Sequence, residues 1–259
     1  MLPGSRHSSP RWVVAAAGVI FGSLLLTGAL AQTYSIPADT PAHIRRAVES
    51  DSRPAEDRAR DAGRRPAEVL TLSGIAPGDH VIELGSFGNY YTRMLIDAVG
   101  PDGRVDMIDL PRFEQFGAEG SRALVDMYSN ASYSLADYAT AEFPQGVDVV
   151  FVVLHYHDLQ PAGVDMANLN EKLFAALAPG GRYVVVDHKA EDGSGWRDAE
   201  SVHRVGAQAI VEEVTAAGFE LAIDSDLLAN PADDHSSAIF APGTRGQTDR
   251  ALFVFRKPE

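Results

Sequence analysis

The chain has 259 residues, 45% hydrophobic and 22% charged. That is an ordinary globular composition, which excludes wholesale disorder and a polytopic membrane protein. Asp and Glu number 36 against 22 Lys and Arg, a formal charge of −14. Such a surface repels phosphate backbones, so nucleic acid is not an expected partner. The cysteine count is zero, which removes disulfides, thiolate metal sites and cysteine nucleophiles together.

Arg6 and Arg11 precede an apolar run from Trp12 to Leu30 that closes on Ala29-Leu30-Ala31. A positive start, an apolar stretch and small residues at −3 and −1 predict a secretory signal peptide over 1–31, cut after Ala31. An uncleaved anchor is the competing reading, although Val13 to Leu30 is marginal for spanning a bilayer. Cleavage predicts a periplasmic or secreted protein with no stable membrane association. The loss of Arg6 and Arg11 leaves it more acidic still.

Residues 32–60 read as a polar extension, with short helices over His43 to Ser50 and Ala55 to Ala62. From residue 61 onward strand and helix patterns alternate. Val69, Leu70 and Leu72 precede a stop at Gly74, and Pro77-Gly78-Asp79 is a turn. His80 to Leu84 is a short apolar strand and Tyr90 to Val99 a helix. Val105 to Leu110 is the next strand, followed by a helix over Gly120 to Tyr128. Ala131 to Leu135 is a further candidate strand, and Val147 to Leu154 is strongly apolar. Met166 to Leu177 is helical, Tyr183 to Asp187 a strand and His203 to Ala217 a helix. Phe219 to Ile223 and Ala251 to Phe255 complete the set, the last expected to run antiparallel. The segment from Asp187 to Trp196 reads as a mobile loop. This alternation predicts a doubly wound, mostly parallel α/β sheet with helices on both faces. In such sheets ligands lie beyond the carboxyl ends of the strands, where strand order reverses.

The strand ending Glu83-Leu84-Gly85-Ser86-Phe87-Gly88 opens a helix through a glycine-bearing turn, a place where backbone N–H groups meet a ligand. Asp109 closes the following strand, where a carboxylate can accept ribose hydroxyls or simply cap the next segment. VIELGSFGNYYT (81–92) resembles the first motif of the class I S-adenosylmethionine-dependent methyltransferases. Glu83 and Gly85 match it, while Phe87 and Asn89 stand at the usual second and third glycines with Gly88 between them. LFAALAPGGRYVVVD (173–187) resembles the Pro-Gly-Gly turn and fifth strand of the same enzymes. More narrowly, RDAGRRPAEVL (60–70), LHYHDL (154–159), VVDHKAEDGSG (185–195), NPADDH (230–235) and RGQTDR (245–250) resemble a family of bacterial predicted methyltransferases that often carry signal peptides. The resemblance implies a Rossmann-like fold and S-adenosylmethionine as cofactor. It implies Glu83, Gly85, Asp109 and Asp137 as its binding residues, with Asp137 near the adenine; Gly88 in the turn is an added candidate, and Tyr91 at the helix start either packs on the ligand or is buried under the loop. Phe87 places a ring where the family keeps a glycine for close approach of the backbone.

On the same edge, His155, Tyr156, His157 and Asp158 follow one strand, and Asp187 and His188 end the next. Histidine suits a base near neutral pH, so His157 and His188 are the candidate bases, with Asp158 or Asp187 orienting an imidazole. The plainer alternative is that these histidines bond loop backbone. The spacing of His155, His157, His188, His203 and His235 matches no metal motif, and no metal ligand is expected from it. Gly-x-Ser-x-Gly and phosphate-cradling Gly-Lys-Ser/Thr sequences are absent. The expected activity is methyl transfer to a small-molecule acceptor. The alternatives are an exported, non-catalytic binding protein on the same fold, or a metal-assisted enzyme built on the histidine cluster.

Overall fold

The computed structural model describes residues 34–259. The predicted signal peptide over 1–31 lies outside the described residues. Helices α1 (Ala42–Glu49), α2 (Ala55–Arg58), α3 (Asp61–Arg64) and α4 (Pro66–Ser73) lead into β1 (His80–Leu84). Then follow α5 (Tyr90–Val99), β2 (Arg104–Asp109), α6 (Glu114–Met127), β3 (Ala131–Leu135) and β4 (Val147–Val153). The chain continues through α7 (Tyr156–Leu159), α8 (Met166–Ala176), β5 (Leu177–His188), α9 (Ala199–Val202) and α10 (Ala207–Ala216), and ends on β6 (Glu220–Ser225) and β7 (Arg250–Arg256).

The seven strands form one sheet in the order β3-β2-β1-β4-β5-β7-β6. β1 to β5 are parallel, and β7 runs antiparallel to both β5 and β6. The doubly wound sheet and its antiparallel last strand are as the sequence predicts. Strand order reverses between β1 and β4, whose register pairs Glu83 with Phe151 and Leu84 with Val152. Beyond those pairs the chain leaves the sheet in two directions and opens a crevice.

The central strands are apolar on both faces because helices cover both. Val149 and Phe151 of β4 join a core with α1, α4 and α5, through Ile44, Leu70, Met94 and Leu95. Val150 and Val152 point the other way, into a core with Leu169, Leu173, Ile210 and Val214 of α8 and α10.

The elements differ from the expected ones at three places near the crevice. α6 begins at Glu114 rather than Gly120, because Gly117 and Gly120 lie inside the helix. Gly120 is needed there, since a Cβ on it would meet Asn89 Oδ1 at 2.4 Å. The expected helix over His203 to Ala217 begins only at Ala207, as α10; His203, left-handed at φ 59°, instead ends the short α9. In the gap Val205 bridges to Lys189, and Arg204 is fully buried. Finally, the segment after Asp187 is tied down. Ala190 N–H donates to Val205 O at 2.9 Å and Trp196 Nε1–H to Glu213 at 2.6 Å.

Arg204 explains the break. Its guanidinium makes a fork to Asp233 (2.7 and 3.0 Å) and donates to the carbonyls of Lys189 and Ser237. A buried charge is tolerated only when paired in this way. Arg204→Ala leaves the Asp233 carboxylate with only the Asp249 N–H as a partner and removes a fully buried side chain. The expected loss is about 3–5 kcal/mol of unfolding free energy, measured by urea denaturation of the purified protein.

Candidate functional site

Two groups of side chains meet at the crevice. The first surrounds the turn after β1, where Gly85, Gly88 and Asn89 take positive φ values of 80°, 69° and 54°. Asp109, at the end of β2, accepts on Oδ1 from the N–H groups of Gly85 (3.1 Å) and Ser86 (2.9 Å), and on Oδ2 from the Ser86 hydroxyl (3.0 Å). Asn89 Nδ2 ties the turn back through Ser86 O and Ser121 Oγ. Ser86, which sequence reading passes over, is therefore the partner of Asp109.

Gly85 is a place of close approach: a Cβ there would stand 2.5 Å from the His155 ring. His155 is fully buried, with Phe87 and Phe113 edge-on to it at 4.8 and 5.0 Å. These three rings cover the turn. Beneath them Glu83 is buried with Oε2 unpartnered among the described residues, as is Nε2 of His155. Burial pushes the Glu83 carboxyl up to about 8 and also raises Asp109.

Of the remaining residues expected on this side, Gly88 lies in the turn with open space where a Cβ would be. Tyr91 stacks at 6.4 Å on Phe151 and reaches Arg64 O at 3.4 Å, so it packs in the core beneath the edge. Asp137 is exposed and accepts from Ala139 N–H at 2.9 Å, capping its own turn.

The second group hangs from the ends of β4 and β5. Asp187 Oδ2 accepts from His157 N–H at 2.7 Å, and Oδ1 accepts from His157 Nδ1–H at 2.6 Å and His188 N–H at 2.7 Å. Donating Nδ1–H to Asp187 leaves Nε2 of His157 as its working atom. Burial acts to lower the His157 pKa, but the Asp187 charge and hydrogen bond, aided by Asp158, carry it above its ordinary value. Asp158 Oδ1 lies 3.3 Å from His157 Nε2 and 3.2 Å from His203 Nδ1, and Oδ2 lies 3.4 Å from His155 Nδ1. Burial works to raise Asp158, yet these histidines hold it at about 2. Asp187 rather than Asp158 thus orients His157. His188 is placed differently from its expected role as a base. Its Nδ1 is engaged by Thr248 at 2.7 Å, and burial drives its pKa down to about 3.

No protein-family model and no curated protein matches this sequence. Solved structures do match in fold. A SAM-dependent methyltransferase from Aquifex aeolicus aligns at TM-score 0.54 and 17% identity, over 73% of this chain and 87% of that one. Geranyl diphosphate C-methyltransferase from Streptomyces coelicolor, in complex with Mg2+, geranyl diphosphate and S-adenosyl-L-homocysteine, aligns at 0.55 and 14%, over 82% and 87%. The chain has the class I methyltransferase fold. The same fold also carries the cyclase SpnF, which aligns at 0.56 and 16%, over 81% and 85%.

The residues around the turn after β1 suit a nucleoside. Glu83 and His155 each hold a buried polar atom without a partner among the described residues, and the His155 ring lies against Gly85, where only a glycine leaves room for it. The turn is nevertheless closed on itself, since Asp109 is satisfied by Gly85 and Ser86 and the three rings lie over it.

The raised Glu83 pKa sets a pH dependence. The folded carboxyl titrates near 8 and the unfolded one near 4.5, so its contribution to stability is complete below about 4.5 and is lost as pH rises to about 8. Denaturation midpoints of wild type should therefore fall across this window, and Glu83→Gln should flatten the slope.

Proposed function

We propose that this chain is an exported S-adenosylmethionine-dependent methyltransferase for a small-molecule acceptor, with His157 receiving the acceptor's proton. The observation that carries this reading is the buried His157–Asp187 pair (2.6 Å) at the carboxyl edge of β4 and β5, beside the Gly85 turn of a class I methyltransferase fold. When bound, S-adenosylmethionine supplies an electrophilic methyl group, and Glu83, Gly85, Gly88 and Asp109 would hold it. Asp187 keeps a proton on His157 Nδ1, so Nε2 is the atom that accepts another. Asp158, 3.3 Å from that nitrogen, stabilises the imidazolium that results. His155, Phe87 and Phe113 exclude water from the space above Gly85, where orientation of the reactants does most of the catalytic work. The acidic surface favours a small acceptor over a polyanion. Among the described residues no helix is long and apolar enough to cross a membrane.

One observation favours a second reading. The three rings closed over Gly85 fit a non-catalytic protein that keeps the fold for another ligand. Calorimetric titration with S-adenosylhomocysteine separates the two. The methyltransferase reading expects wild type to bind and Phe87→Gly to bind at least tenfold tighter, because the ring's closure no longer competes. No heat from either protein at millimolar ligand overturns it.

For the base, His157→Ala should keep its affinity for S-adenosylhomocysteine. It should lose about 10²- to 10⁴-fold in turnover, followed as S-adenosylhomocysteine released in the presence of a small-molecule extract. Full turnover by the variant refutes the role.

A further inference from the structure

We propose that His157, Asp158 and His203 form a binding site for one divalent transition-metal ion, with zinc the best-suited ion and a fourth position open to solvent. The inference does not rest on the methyl-donor reading.

The first argument is geometric. His157 Nε2, Asp158 Oδ1 and His203 Nδ1 all lie within 4.8 Å of one another. Two edges of this triangle are 3.3 Å (His157 Nε2 to Asp158 Oδ1) and 3.2 Å (His203 Nδ1 to Asp158 Oδ1). A tetrahedral ion with bonds of about 2.0–2.1 Å to nitrogen and oxygen separates its ligand atoms by roughly 3.3 Å. Both edges that meet at Asp158 already have the spacing that such an ion imposes. Imidazole with carboxylate is also a donor set that zinc accepts.

The second argument is the chemistry of the facing atoms. His157 spends its Nδ1 proton on Asp187 at 2.6 Å. In the neutral ring Nε2 is then a lone pair, and it faces an anionic carboxylate oxygen. Two acceptors this close need a positive centre between them, which either an added proton or a metal ion provides. His203 presents a third donor atom to the same oxygen.

The third argument is support from outside the triangle. A metal-binding histidine usually gives its other nitrogen to a carboxylate, which fixes ring and tautomer. Asp187 does this for His157. His155 Nδ1 lies 3.4 Å from Asp158 Oδ2, which leaves Oδ1 turned to the other two ligands. The His203 ring stands edge-on to Phe240 at 5.3 Å and to His157 at 5.5 Å. His203 itself is delivered by the break between α9 and α10, which the Arg204–Asp233 fork pins in place. His157 is buried, whereas the side chains of Asp158 and His203 are 22% and 37% exposed. Three protein ligands with one side open is the pattern of a site that leaves a position for water or substrate. With the ion in place Nε2 of His157 is a ligand and takes no proton, so the base role proposed above belongs to the metal-free protein, and in the metal-bound one the acceptor's oxygen or a water would take the open position.

The test uses the protein starting at Gln32, made without a histidine tag and stripped with a chelator. Calorimetric titration with Zn2+ should give one equivalent, and Co2+ should give the intense visible bands of a tetrahedral site. His203→Gln and Asp158→Asn should each abolish the Co2+ bands and weaken Zn2+ at least 100-fold. Asp187→Asn, which disturbs the supporting bond to His157 together with the backbone N–H groups of His157 and His188, should cost at least about 10- to 100-fold. His235→Ala should change nothing, because His235 pairs with Asp249 at 2.9 Å outside the triangle. Circular dichroism spectra and unchanged melting temperatures establish that the variants are folded. Less than a tenth of an equivalent on wild type, or wild-type affinity in both ligand variants, overturns the site. S-adenosylhomocysteine titrated into the same stripped protein keeps the readings apart: nucleoside binding without metal binding sinks only the ion, and the converse sinks only the methyl donor.

Discussion

One carboxylate organises the carboxyl edge of the sheet. Asp187 sits at the end of β5, fully shielded from water, and receives two backbone N–H groups and an imidazole N–H. Those bonds do three things together. They stop β5 at the edge, they fix the start of α7 relative to it, and they choose the tautomer of His157. A carboxylate with three donors is stable in a dry site because each bond replaces one that water supplied. The choice of tautomer turns Nε2 of His157 towards Asp158, the acid that His203 and His155 also approach.

The neighbouring turn is built on the opposite logic. Asp109 is also a buried carboxylate with three donors, but all three come from the turn that it caps, at Gly85 and Ser86. It holds the loop rather than a side chain with chemistry to perform. Glu83, two residues before the same turn, has an oxygen with no partner. The two acids therefore differ in kind. Asp109 is satisfied without a ligand, whereas Glu83 carries an unmet demand beneath the aromatic cover of Phe87, Phe113 and His155.

The legible part of the fold is the part governed by local pattern. The apolar runs of β1, β4 and β5, the Pro-Gly-Gly turn before β5's last seven residues and the glycine turn after β1 are all visible in the sequence. So is the placing of His157, Asp158 and Asp187 at strand ends. The rest depends on contacts between distant residues. Periodicity starts a helix at His203 because Val205 and Ile210 fit its face. It does not register that Arg204 must stay out of the helix to reach Asp233, 29 residues on. The early start of α6 is hidden by its two glycines, whose purpose is contact with Phe87 and Asn89. Phe113 has no motif of its own and matters only because His155 needs a cover. His188 and His157 have equal standing by sequence; only the partner of each Nδ1, a Thr248 hydroxyl against the Asp187 carboxylate, tells them apart.

The direction of β7 has a practical consequence. Because β7 runs against β5, its first residue, Arg250, pairs with His188 at the crevice, while its last, Arg256, pairs with Arg182 at the far edge. Lys257 then bonds Gly180 and Gly181 in the turn that begins β5. The end of the chain thus emerges on the floor of the molecule, across the full height of the sheet from the histidines. A fluorophore, surface tether or fusion partner attached after Glu259 stands well clear of the crevice. A tether inserted between β6 and β7, by contrast, rises from the roof next to it.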